Sequence, residues 1–191
     1  MPRLPVIPTL LVAAAVATMI ALGIWQLGRA EEKEALVARA EWALTMSSEV
    51  EYARDEPARE RVLYRRTSIE CQTVLDAGLV AGTSASGAKG WAHRYTCALP
   101  DGGQARVDLG FSREPNPFEW SGGALQGLIA PGGRIVAANP PAGLAPLAPP
   151  DPRDLPNNHL AYAGQWFFFA VTALVIYFLA LRHRRRRPSL R

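Results

Sequence analysis

Two uncharged apolar runs, one near each end of the chain, constrain this sequence more than any other feature. The first extends from Val6 to Leu27, interrupted only by the polar residues Thr9, Thr18 and Gln26. The second extends from Leu160 to Leu181 without a charged residue. At 1.5 Å rise per residue, each 22-residue run covers about 33 Å as a helix, enough to cross the hydrocarbon core of a bilayer. A cleaved signal peptide is the alternative for the first run. Arg3 is the one basic residue ahead of it, and the run exceeds the 7–15 apolar residues of a signal core, so an uncleaved helix is expected.

Charge divides the chain into the same compartments. Residues 28–159 hold 14 Lys and Arg together with all 17 Asp and Glu, a net charge of −3, although the whole chain is +4. The remaining basic residues are Arg3 at one end and Arg182, Arg184, Arg185, Arg186, Arg187 and Arg191 at the other. This excess is a topology signal rather than a nucleic-acid footprint. It puts both termini in the cytoplasm and the loop outside. No amphipathic, Ser-rich transit peptide precedes the first run, which favours a bacterial plasma (inner) membrane over a mitochondrion. The expected layout is an N-terminus at 1–5, a first span at 6–27, a periplasmic loop domain at 28–159, a second span at 160–181 and an Arg-rich cytoplasmic tail at 182–191.

The loop is long enough for one modest core. Residues 29–46 hold good helix formers without Gly or Pro and extend the first helix out of the membrane. A β-rich part follows at 62–138. Trp91, His93, Tyr95, Cys97 and Leu99 alternate with Ala92, Arg94, Thr96 and Ala98 at the period of a half-buried strand. The turn Pro100-Asp101-Gly102-Gly103 leads to the alternating Ala105, Val107, Leu109 and Phe111, a hairpin. A second hairpin is expected from Gly123–Ala130 and Arg134–Ala138 around Pro131-Gly132-Gly133, and a further strand at Tyr64–Val74. Residues 139–156 carry seven prolines and read as an extended linker back to the second span. The fold class expected is a membrane α+β protein: two antiparallel transmembrane helices enclosing one extracytoplasmic, mainly antiparallel β domain.

Cys71 and Cys97 leave two readings open. They form a disulfide in an oxidising compartment, closing a 26-residue loop worth about 3 kcal/mol, or they are two buried small apolar residues. If Tyr64–Val74 neighbours Trp91–Leu99, they are cross-strand partners.

Antiparallel spans bring two distant groups to one membrane level. Trp25, Gln26 and Arg29 lie at the outer end of the first helix, with Lys33 one turn beyond. His159, Tyr162, Gln165 and Trp166 lie at the outer end of the second, and His159, Tyr162 and Trp166 share a face at i, i+3, i+7. A histidine among aromatics and cations suits a porphyrin: imidazole ligates iron, rings cover the macrocycle and Arg29 or Lys33 pairs with propionates. Equally, Trp and Tyr belts mark any bilayer interface, and a histidine after Asn157-Asn158 can belong to a helix cap. Ser/His/Asp sets, GxSxG, HExxH and Walker patterns are absent from the sequence, so an enzyme is not expected.

The end motifs resemble the surfeit-locus-one family of cytochrome c oxidase assembly proteins. Leu22-Gly23-Ile24-Trp25-Gln26-Leu27-Gly28-Arg29 with Lys33 is similar to the family's first-helix motif. Asn158-His159-Leu160-Ala161-Tyr162-Ala163, followed by Gln165-Trp166-Phe167, is similar to its second-helix motif. Between them, Tyr64-Arg65 resembles the start of its first loop strand, and Asp101-Gly102 with Arg106-Val107-Asp108-Leu109-Gly110-Phe111 its hairpin. Phe111 stands where the family has Trp, Cys71 where it has glycine and Cys97 where it has proline. The resemblance implies a role in maturing haem-copper oxidase, with haem a as cofactor and His159 as the ligand of its iron. Trp25, Gln26, Arg29, Tyr162 and Trp166 would then complete the site. Expected partners are the catalytic subunit of cytochrome c oxidase and, secondarily, haem a synthase. A cofactor-free membrane-anchored chaperone or scaffold for the oxidase subunit is the alternative. Nucleic acid is not an expected partner.

Overall fold

The computed structural model describes residues 5–186, with Arg185 and Arg186 placed as backbone only. Arg3, Arg187 and Arg191, three of the basic residues that set the expected topology, lie outside the described residues. The chain divides into two compact units: residues 1–36 with 156–191, and residues 37–155.

The first unit is a helix pair. Helix α1 spans Val6–Thr45 without a break, so the apolar run and its charged extension form one 40-residue helix. Pro5 precedes it and Pro8 sits in its first turn, where a missing N–H costs nothing. Helix α3 spans His159–Arg186. Three contacts fix the pair as antiparallel. Thr9 meets the Tyr177 hydroxyl, Gly23 faces the Phe167 ring, and Gln26 bonds His159, so positions rise on α1 as they fall on α3. The seam has heptad spacing. Val16, Gly23 and Ala30 on α1, and Ala163 and Ala170 on α3, are the buried positions. These residues are small, which lets the backbones come close, as transmembrane pairs do. A Cβ on Gly23 would lie 2.6 Å from Phe167. Away from the seam the surface is apolar and open: Leu10, Leu11, Ile24, Phe168, Ile176 and Phe178 are each 60% exposed or more. Both helices are long and apolar enough to cross a membrane.

The second unit is a six-stranded sheet. Its strands are β1 (Arg66–Cys71), β2 (Thr73–Thr83), β3 (Lys89–Ala98), β4 (Gln104–Ser112), β5 (Gly123–Ile129) and β6 (Ile135–Ala137). Their spatial order is β1-β5-β6-β4-β3-β2. All neighbours are antiparallel except the parallel β4 and β6. The strands at the two ends of this order, β1 and β2, are separated in the chain only by Gln72, so the sheet must roll until its edges meet. Gln72 donates its backbone N–H to Ala98 O at 3.0 Å, which carries the β2–β3 pairing back to the corner.

The segment expected as one strand at Tyr64–Val74 is therefore two half-strands. β1 pairs with β5, and β2 begins after Gln72 and pairs with β3. The sequence pattern does not predict strand β2, because Gly78, Ala81 and Gly82 blur its alternation. The cysteines are not cross-strand neighbours, since β1 and β3 do not pair. They are bonded inside the roll at the seam, with Cα atoms 5.2 Å apart and neither residue more than 2% exposed. The alternation of β3 also breaks. Trp91 is at the surface and Ala92 is buried, because a bulge between His93 and Arg94 shifts the register against β4.

The proline-rich segment is more than a linker. Ala145 exchanges both backbone hydrogen bonds with Phe111, at 2.8 and 2.9 Å, and so adds to the end of β4. Ala148 donates to Thr83 O, while Pro146, which has no N–H, accepts from Ala85. Its donors to Phe111 and Thr83 thus fall on Ala145 and Ala148, and Pro146 sits where only an acceptor is needed. Leu144 packs on the core beside Phe118 and Trp120.

Candidate functional site

The end of the helix pair where α3 begins brings two of the candidates together directly. Helix α3 begins at His159 after Pro156, with Tyr162 N–H bonding Asn158 O at 3.1 Å to close the first turn. That start places the imidazole on the seam with α1. Its Nδ1 lies 2.7 Å from Gln26 Oε1. An amide oxygen can only accept, so Nδ1 donates, and in the neutral imidazole the lone pair is then on Nε2. Metal-binding histidines are oriented in this way, one nitrogen donating to a fixed oxygen and the other left to ligate.

The remaining candidates are arranged more loosely. Trp25 is 57% exposed and Tyr162 51%, so both face outward. Arg29 pairs with Glu32 one turn along α1, and its side chain stays half exposed. Trp166 is half-buried, with its ring edge-on to Phe169 at 6.3 Å between centroids. An open groove of about 550 Å³ runs along one stripe of α3, lined by Asn158, Ala161, Tyr162, Gly164, Gln165 and Phe168. Asn157 Oδ1, beside the helix start, is buried without a hydrogen-bond partner. Among the described residues no group of three or more His, Cys, Asp or Glu is placed so that it could hold a metal ion. A haem here would draw one iron ligand from this chain. The chemistry present for that role is one oriented imidazole; the apolar, aromatic-edged groove lies on the same helix, and His159 is not among its lining residues.

The β unit holds polar groups that the alternation pattern did not single out. Asp108 on β4 is 4% exposed and accepts from Arg94 at 2.6 and 2.9 Å and from Arg134 at 2.9 Å. This carboxylate ties β3, β4 and the entry to β6. The Arg94 guanidinium is held above its usual pKa chiefly by that hydrogen bond. The signal was present in the sequence: Arg94 and Asp108 are register partners across the expected hairpin. His93 is buried, with Nε2 2.8 Å from Ser112 Oγ. Ser112 gives its own proton to Glu114 O, so it accepts from the imidazole. Burial pulls the His93 pKa down. Tyr64 adopts a left-handed φ of 64° and is 3% exposed, and its hydroxyl has no partner. His183 lies in the last turns of α3, away from the site.

A model of the SURF1 family matches residues 13–171, from within α1, across the whole β unit, to within α3. No curated protein matches the chain.

Proposed function

The chain belongs to the SURF1 family, the surfeit locus 1 family of cytochrome c oxidase assembly proteins, and on that premise we propose that it carries haem a on His159 for insertion into the oxidase catalytic subunit. Membership itself places the chain in cytochrome oxidase assembly, and members of the family are assembly factors rather than enzymes. The finer reading rests above all on the bond between His159 Nδ1 and Gln26.

Haem is cargo in this account, and its iron supplies one coordination position to an imidazole. Gln26 holds the His159 proton on Nδ1 and presents Nε2 as the ligand nitrogen. Tyr162 and Phe168 line the groove on α3, where ring faces can cover a porphyrin. Arg29 would have to leave Glu32 to reach a propionate, an exchange between two exposed charge pairs of similar small worth. A single protein ligand suits a carrier, because one imidazole releases haem more readily than two.

The proposed setting is the bacterial plasma membrane, with both termini cytoplasmic and the β unit periplasmic. The arginines after Leu181 support that orientation. A periplasm-only reporter inserted at Ser86-Gly87, in the turn between β2 and β3, should be active, and one at the C-terminus silent. The reverse pattern overturns the orientation. Proposed partners are the oxidase catalytic subunit and haem a synthase.

A second reading is a cofactor-free scaffold for the oxidase subunit. It is favoured by the same hydrogen bond read as interhelical glue. Protein purified from cells that make haem a separates the two. The carrier shows a Soret band that His159→Ala removes. The scaffold shows no porphyrin and keeps its oxidase subunit through the same substitution.

A further inference from the structure

The β unit contains a second polar site, independent of His159. Arg54, Arg59 and Arg106 come from three separate segments: the loop before helix α2 (Glu56–Arg61), α2 itself, and β4. They line one cleft of about 470 Å³ together with Tyr52, Thr96, Gln104 and the Gly132-Gly133 turn. No carboxylate lines the cleft. Asp101 reaches Arg54 from outside it, Oδ2 to Nε at 2.7 Å.

Arg59 and Arg106 are held in place by neutral groups, and Arg54 by the Asp101 carboxylate. Arg106 donates to Gly132 O at 2.8 Å. Arg59 donates from one nitrogen to the carbonyls of Ala53 and Arg54 and lies 5.8 Å over the Tyr52 ring. Tyr52 in turn donates its hydroxyl to Gly133 O at 2.6 Å. Gly133 is part of the cradle: its φ is 72°, and a Cβ there would stand 2.8 Å from Arg59 Nε. Each guanidinium carries five N–H donors, and these bonds occupy one nitrogen in each, so most donors remain open toward the cleft. Three cations against the single carboxylate of Asp101 leave the cleft with an excess of positive charge, which a bound anion relieves. A lone carboxylate is satisfied by one guanidinium fork. Three forks from three directions suit an oxyanion with more oxygens and more charge.

We propose that the cleft of Arg54, Arg59 and Arg106 binds a phosphate group, either of a soluble phosphate compound or of a lipid headgroup. The test is calorimetric titration of the full-length protein in neutral detergent at constant ionic strength. Inorganic phosphate, pyrophosphate and short-chain phosphatidic acid are the probes, and succinate is the comparator. Saturable binding of inorganic phosphate or pyrophosphate assigns a soluble ligand. Saturable binding of phosphatidic acid alone assigns the headgroup. Arg106→Gln, which keeps an amide donor for Gly132 O, should weaken binding roughly tenfold by removing a charge-assisted contact. Arg59→Gln should weaken it at least as much, and Arg113→Gln, outside the cleft, should leave it unchanged. Arg106→Gln keeps the test valid if Arg59→Gln does not fold. No saturable binding by any probe, succinate bound as tightly as phosphate, or unchanged affinity in Arg106→Gln would overturn the proposal.

Discussion

Gln26 and His159 are 133 residues apart in the chain and 2.7 Å apart in the folded helix pair. One accepts and the other donates, which selects a single imidazole tautomer. Gln26→Ala removes the acceptor and frees the ring, whereas Gln26→Glu supplies another acceptor. Nitrogen-15 shifts of His159 in the haem-free protein, recorded at alkaline pH, should report a protonated Nδ1 in the wild type and in Gln26→Glu. Gln26→Ala should give a mixture of tautomers. A mixture already present in the wild type would contradict the assignment, whatever the protein does with haem.

The disulfide Cys71–Cys97 closes the seam where β1 passes into β2. A cross-link spanning 26 residues restricts the unfolded chain by about 3 kcal/mol in the loop-entropy model. Intact mass after alkylation, with and without prior reduction, should show two thiols appearing only on reduction. Cys71→Ser with Cys97→Ser should lower the unfolding free energy of the β unit by about 2–4 kcal/mol. Alkylation of both cysteines without a reductant would refute the bond.

Asp108 faces two guanidiniums from a buried position. Deleting it leaves both cations without their partner, though each is about a third exposed and can partly rehydrate. Asp108→Ala should therefore cost about 2–4 kcal/mol, below the upper range for a fully buried network. Arg94→Ala should cost less, because Arg134 still pairs with the carboxylate. Chemical denaturation of the purified protein measures both.

His93 makes stability depend on pH. Burial lowers its folded pKa from the ordinary 6.5, so near and below that pH the unfolded chain binds more protons than the folded one. Stability is then full above 6.5 and is lost as pH falls toward the folded value. His93→Gln should flatten the change in melting temperature between about pH 7 and pH 5. An equally steep slope in that variant would show that other groups carry it.

Much of this architecture is legible along the chain, for identifiable reasons. Uncharged runs of 22 residues, the sorting of acidic residues between them and the alternation of Ala105 to Phe111 are all local patterns. The roll of the sheet is not local. It depends on Gln72 acting as a corner, and nothing in Cys71-Gln72-Thr73 distinguishes a corner from a continuous strand. The inward turn of Ala92 depends on a bulge, which has no side-chain signature. The proline-rich stretch misleads for a simple reason: its N–H donors to the β strands are those of Ala145 and Ala148, between the prolines. At the site, helical spacing groups His159, Tyr162 and Trp166 on one helix. It does not reveal that Gln26, rather than Trp25 or Arg29, is the residue that reaches the imidazole.

The central claim is tested most directly by the absorption spectrum of the detergent-purified protein from cells producing haem a, compared with His159→Ala. The account predicts a Soret band in the wild type that is mostly lost in the variant. A band of equal strength without His159 would contradict it.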